Sequence, residues 1–259
     1  MPGLESIPAW GIAWIAVVML LSGFAHGVIG FGFPIIATPL LALVLDLKTA
    51  VLVILVPTVV VASINSVRGG RLRESIGRFW FLPFVLMAGS YLGTRILIVS
   101  DTAPFILLLA AILFTYLNLD RFGKADFPLV RRHPTASGML FGFVAGLFEA
   151  TVNVSGPMLL IYFLLIGVSP AALVQTLNFC FVGGKLAQGL AWNVSGGVPL
   201  AHWLYSIPWA LLGVATLFFG ERIRRRTSTA VYLGWLRKFL WAMVVLLVFQ
   251  FLRMMWARL

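Results

Sequence analysis

G-F-A-H-G-V-I-G-F-G-F-P, Gly23 to Pro34, and G-L-F-E-A-T-V-N-V-S-G-P, Gly146 to Pro157, decide how this chain is read. Each interrupts a long apolar stretch, residues 9 to 45 and 135 to 167. Glycine adds backbone freedom, and proline lacks an N–H and clashes with the turn before it, so Gly27 to Pro34 and Ala150 to Pro157 each separate two helices. Neither stretch comfortably reaches the roughly 40 residues that two full spans and a turn need. A broken helix or re-entrant hairpin with its tip near the bilayer midplane fits the length. Aligned without gaps, Gly23 meets Gly146, Pro34 meets Pro157 and His26 meets Glu149.

Outside these stretches the chain is as apolar. Of its 259 residues 61% are hydrophobic and 10% charged, with a mean hydropathy of +1.03, a balance that no water-soluble domain tolerates on its surface. Six further runs, about 17 to 25 residues each, have the length of spanning helices: 50 to 66, 79 to 99, 103 to 119, 170 to 192, 201 to 220 and 238 to 257. The expectation is one all-α polytopic membrane domain over residues 1–259. Trp10 to Leu21 lacks the basic flank and small-residue cleavage site of a signal peptide and reads as mature structure. Cys180 stands alone inside an apolar run and reads as packing.

The net charge of +11 points to topology, not to nucleic acid, because the basic residues lie in short connections between apolar runs. Arg68, Arg71, Arg73 and Arg78 fill one connection, Arg121, Lys124, Arg131 and Arg132 a second, and Arg222, Arg224, Arg225, Arg226, Arg237 and Lys238 a third. All three are predicted cytoplasmic. Two full helices between the second and third connections already return the chain to its starting side, so the interrupted segment there enters and leaves on one side. Each half is then a broken helix or hairpin plus three transmembrane helices. An odd number of net crossings makes the halves inverted repeats, residues 1–120 and 135–259, joined by a cytoplasmic linker at 121–134, with both termini outside.

Tips entering from opposite faces meet near the bilayer centre, as in transporter binding sites. Pro34 and Pro157 suit the first turn of a second half-helix, whose free N–H groups and positive dipole end favour anions. Gly27, Gly30, Gly32 and Gly156 let backbone amides approach a ligand, with Phe31 and Phe33 between the glycines, while Asn153 and Ser155 add side-chain donors. The competing reading is that the glycines only pack helices, within one chain or across a homodimer. Glu149 is the only carboxylate deep in an apolar run, and such groups are costly there, so Glu149 and its counterpart His26 are proton-coupling candidates. Lys185 could draw an anion into the path. Gln175 and Asn178 precede it on the same helix and Gln188 follows, Asn65 closes helix 50 to 66, and Arg95 lies near an outer helix end. Trp192, Trp203, Trp241 and Trp256 read as interfacial anchors. Hydrolase, zincin and Walker signatures are missing, so no enzyme, cofactor or metal site is expected; an intramembrane hydrolase on His26 and Ser155 has only those two residue types in its favour.

G-F-G-F-P-I-I-A-T-P-L-L-A-L-V (Gly30 to Val44) with D-L-K-T-A-V (Asp46 to Val51) resembles the first repeat of the TauE/SafE sulfite exporter family, V-S-G-P-M-L-L-I-Y-F-L-L-I-G-V-S-P (Val154 to Pro170) its second, and G-S-Y-L-G-T-R (Gly89 to Arg95) its third-helix pattern. The resemblance implies export of small sulfur-containing anions such as sulfite, sulfoacetate or other organosulfonates, through a bacterial-type inner membrane. An interior-negative potential drives a monovalent anion outward by about 2.3 kcal/mol per 100 mV, which favours export. The expectation is a secondary anion transporter working by alternating access. A passive anion channel and a non-transporting membrane scaffold are the alternatives.

Overall fold

The computed structural model describes residues 7–68, 72–118, 127–224 and 229–256. Arg71, Arg121, Lys124, Arg225 and Arg226 of the basic connections lie outside these, as does the first part of the 121–134 linker. Every regular element described is a helix. The first half comprises α1 (Ala9–Ile29), α2 (Phe33–Ala42), α3 (Leu47–Val53), α4 (Leu55–Arg68), α5 (Leu72–Phe79), α6 (Phe81–Val99) and α7 (Ala103–Leu117). The second comprises α8 (Pro128–Arg132), α9 (Pro134–Val152), α10 (Gly156–Leu165), α11 (Pro170–Val194), α12 (Leu200–Tyr205), α13 (Ile207–Arg224) and α14 (Thr229–Trp256). Four of the described helical stretches are long and apolar enough to cross a membrane, five if α3 and α4, bent by 41°, count as one span. Pro57 accounts for that bend and Pro208 for the α12–α13 break, since each removes a donor near the start of the second piece.

The breaks fall where the glycines and prolines require. Gly30 ends α1 with φ of 94° and Gly32 precedes α2 with φ of 109°, a conformation costly for residues carrying a Cβ. Asn153 ends α9 in the same left-handed region, φ 64°, which asparagine tolerates better than most. Helix ends Ile29 and Val152, starts Phe33 and Gly156, ends Ala42 and Leu165, and side-chain caps Asp46 and Ser169 are each separated by the same 123 positions. One expectation needs correcting. The first arms are not short: α1 has 21 residues and α9 has 19, enough to cross, and only the second arms, at 10 residues each, stop halfway. The interruptions are correspondingly narrower than Gly27 to Pro34 and Ala150 to Pro157.

Gly27 explains the difference. It stays helical because α13 crosses α1 there with no space between the backbones: a Cβ on Gly27 would overlap the Leu217 carbonyl oxygen, and one on Gly23 the Gly213 carbonyl oxygen. Small residues allow such approach in membranes, and dispersion contacts between the backbones replace the hydrophobic drive that lipid does not supply. The α6–α9 contact has the same construction, with Gly89 against Phe143 and Gly146 against Leu86 and Ser90. In both crossings residue numbers rise together, so the helices run parallel. α11 packs on α6 and α4, α13 on α4, and α14 on α7.

All ten residues of α2 are buried, as are most of α10, each within its own apolar cluster. Enclosure in protein is what permits a helix to end inside a bilayer, because lipid satisfies no free backbone group. Arg68 pairs with Glu221 at 3.2 Å, and Arg78 and Arg131 line one cavity with Leu165 and Gly167, so the described parts of the three basic connections share one end of the bundle. Arg131 Nε donates to the Leu165 carbonyl there, 3.1 Å, placing the far end of α10 at that face. Trp192, expected at an interface, is 4% exposed and belongs to the core.

Candidate functional site

Both breaks line one cavity. Phe31, Gly32, Pro34 and Ile35 of the first face Asn153, Val154, Ser155 and Gly156 of the second, with Glu149, Tyr116 and Phe181 completing the wall. Its volume is about 10 Å³, and a single water needs roughly that much. The described state is therefore closed around its own side chains.

Glu149 lies on the last turn of α9 and Lys185 in the middle of α11, both completely buried, with Nζ and Oε1 2.8 Å apart. Such an ion pair persists only if its remaining donors and acceptors are also met. Ser155 Oγ donates to Glu149 Oε2. Lys185 Nζ also donates to Gln188 Oε1, 2.8 Å, one helical turn along, and Gln188 Nε2 donates to the Ala150 carbonyl at 3.0 Å. The second tip is thereby tied to α11 through four side chains. Gly184 gives Glu149 its place, since a Cβ there would lie 3.1 Å from the Glu149 Cγ.

The first tip is tied to α11 differently. The Phe33 N–H donates to His26 Nδ1 at 3.3 Å, so that nitrogen is an acceptor and the proton sits on Nε2, which donates to Asn178 Oδ1 at 3.1 Å. Asn178 Nδ2 then donates to the Gly30 carbonyl, 2.8 Å, as does Asn65 Nδ2, 3.1 Å. His26 in this arrangement is neutral with both nitrogens engaged. Asn178 and Lys185 are separated by seven positions on α11, so the His26 and Glu149 levels stand about 10 Å apart along that helix, on either side of its midpoint.

Among the described residues, one side chain at the cavity has no partner. Asn153 is completely buried, and neither its Nδ2 nor its Oδ1 meets a hydrogen-bonding group. An amide left so costs a few kcal/mol by rough measure. Together with the starts of α2 and α10, whose first N–H groups have no partner inside their helices, it makes the cavity a place for a small polar or anionic guest.

The model of the family described as Sulfite exporter TauE/SafE matches residues 15–251. The chain belongs to this family. No curated protein and no solved structure matches it. The TauE/SafE family is one of membrane transporters of sulfur-containing anions, and with its apolar helices the chain is a multi-pass membrane transporter for a small anion.

On this TauE/SafE chain the sequence-predicted residues fall into three places. Phe31, Gly32, Asn153, Ser155, Gly156 and Glu149 line the cavity, with Lys185 behind Glu149. Gly30, His26, Asn65 and Asn178 form the network that fixes the first tip. Phe33, Gln175 and Arg95 are elsewhere. The Phe33 ring packs toward Gly213 on α13, Gln175 Nε2 donates to the Ser66 carbonyl at 2.6 Å, and exposed Arg95 donates to Ser195 Oγ at 3.1 Å. Tyr116 and Phe181 are wall residues that the sequence did not single out. A tyrosine near the end of the apolar α7 was the available signal, because its hydroxyl needs a polar neighbourhood.

Proposed function

We propose that the chain is a secondary transporter that exports a small sulfur-containing anion, such as sulfite or an organosulfonate, by alternating access across a bacterial-type inner membrane. The observation that carries this is the shared cavity: two helix breaks, separated by 123 positions, close on one buried point with an unpartnered Asn153. The anion binds among the Asn153 amide, the N–H groups at the start of α10 and the Lys185 ammonium. A cavity of about 10 Å³ is too small for it, so loading requires the tips to part toward one side at a time. Gating by separation at a closed centre favours a carrier over an open channel.

Two inverted repeats fit this cycle. The equal register of the helix boundaries supports the repeat, and so do the reciprocal crossings, α1 on α13 and α6 on α9. In this reading the basic end of the bundle is cytoplasmic and both termini lie outside. Proteoliposomes loaded with radiolabelled sulfite, isethionate or sulfoacetate test the function. Saturable efflux that Asn153→Gly weakens supports it. Failure of all three to move, with the protein folded, rejects it.

A further inference from the structure

We infer that Glu149 is the resident counter-anion of Lys185, that the transported anion displaces it, and that each displacement places one proton on the Glu149 carboxylate. The inference rests on the anion-carrier reading above and names its coupling: one monovalent anion travels with one proton and no net charge.

The argument is a count of charges at one point. Lys185 Nζ, completely buried, has one anionic partner, Glu149 Oε1, and one neutral one, Gln188 Oε1. A sulfonate or sulfite oxygen competes for the same ammonium, because it offers the same anionic acceptor. If Glu149 stayed ionised beside the bound anion, two negative charges would share one positive charge without water, an arrangement that low-dielectric surroundings resist strongly. No other described group relieves it. The titratable side chains facing Glu149 are Lys185 and Cys180 from α11 and Tyr116 from α7, of which only lysine supplies positive charge. From α6, Leu86 reaches the same Gly184 that Glu149 packs on and brings no charge. His26 is about two helical turns away with both nitrogens already engaged.

A proton on Glu149 resolves the conflict without breaking the remaining network. The hydroxyl of Ser155 donates to the carboxylate in the closed state and, having lone pairs of its own, accepts from the carboxylic acid once that forms. Gln188 stays on Lys185. The Asn153 amide, without a partner in the closed state, gains the anion as its acceptor. The proton comes from solution on the loading side and leaves on the other side, when the anion departs and the Glu149–Lys185 pair re-forms. Empty carrier and loaded carrier then bear the same charge at the site. The membrane potential, which the sequence alone makes the driving force, drops out, and direction follows the combined gradients of anion and proton.

Wild-type protein and Glu149→Gln in proteoliposomes test this, with isethionate as probe because its sulfonate carries no proton of its own near neutrality. Potassium diffusion potentials of either polarity are set with valinomycin, and an entrapped pH dye counts protons. The expected wild-type result is efflux differing less than two-fold between the polarities, with one proton leaving per anion. In Glu149→Gln the proton movement disappears and efflux differs at least five-fold between polarities. Wild-type efflux that follows the potential and moves no proton overturns the exchange while leaving the carrier intact, as does Glu149→Gln retaining one proton per anion. If isethionate, sulfite and sulfoacetate all stay put under every gradient, the carrier reading falls and takes the exchange with it. The wild-type arm decides by itself should the variant fail to fold.

Discussion

Lys185→Met exchanges the buried ammonium for an apolar side chain of similar length and leaves Glu149 without its cation. Both partners are 0% exposed, their charged atoms are 2.8 Å apart, and the nearby cavity of about 10 Å³ has room for one water at most. Removing one member of such a pair costs about 3–5 kcal/mol, whereas replacing both by neutral groups is close to neutral. Glu149→Gln isolates the ammonium instead and falls in the same range, moderated because Ser155 and Gln188 still have partners. The double variant Glu149→Gln/Lys185→Met should recover most of the loss, giving a coupling energy of about 4 kcal/mol or more. At about 2–4 °C per kcal/mol for a chain of this size, each single variant melts roughly 6–20 °C below wild type and the double within about 5 °C of it. Thermal unfolding of the four proteins in one detergent at pH 7 is the assay. Additive losses, with the double variant the least stable, would refute the idea that these two charges hold each other in place.

Three other outcomes follow from the same geometry. Gly27→Val forces a side chain into the Leu217 carbonyl on α13 and should lower stability by at least about 1–3 kcal/mol, read as reduced melting temperature. Asn153→Gly keeps the left-handed turn while removing the unpartnered amide, so melting should rise by roughly 2–8 °C, the relieved amide outweighing the added glycine freedom, while the half-saturating concentration for isethionate rises about ten-fold, as loss of a hydrogen bond to an anion predicts. His26→Ala strands the Phe33 N–H and the Asn178 Oδ1 and should cost about 2–4 kcal/mol, while Arg68→Ala, whose side chain is 48% exposed beside Glu221, should cost less than about 1 kcal/mol in the same melting series.

The places where the helices break were legible because glycine and proline act locally. Gly30, Gly32, Pro34 and Pro157 sit where the sequence pattern puts them, and the gapless register carries through to helix ends and caps. The lengths of the arms were less legible. Gly27 counts as a breaker in isolation, yet it is helical because α13 lies against it, a tertiary contact that no local pattern contains. The bend near Pro57 follows from proline alone, although the apolar run 50 to 66 is unbroken in composition.

For the site, residue types were easier to read than partnerships. Glu149 and Lys185 were each identifiable as a costly buried charge, and the cost itself argues that they pair, since the interior tolerates neither alone. What was missing was the fold that brings positions 149 and 185 together across α9 and α11. Asn65 and Asn178 read as ligands for an anion, but in the closed state they bind the Gly30 carbonyl, a backbone acceptor invisible to side-chain chemistry.

The most direct test of the shared central cavity is a reversible crosslink between the two breaks. Phe31→Cys and Val154→Cys, combined in a Cys180→Ala background that removes the one native thiol, place a thiol on each wall of the cavity. The prediction is that a short bis-methanethiosulfonate crosslinker, forming a disulfide with each cysteine and releasing sulfinate, joins them in the membrane and stops isethionate efflux, and that reductant restores it. Failure of the pair to crosslink, or full efflux through the crosslinked protein, would contradict the meeting of the two breaks at a moving anion site.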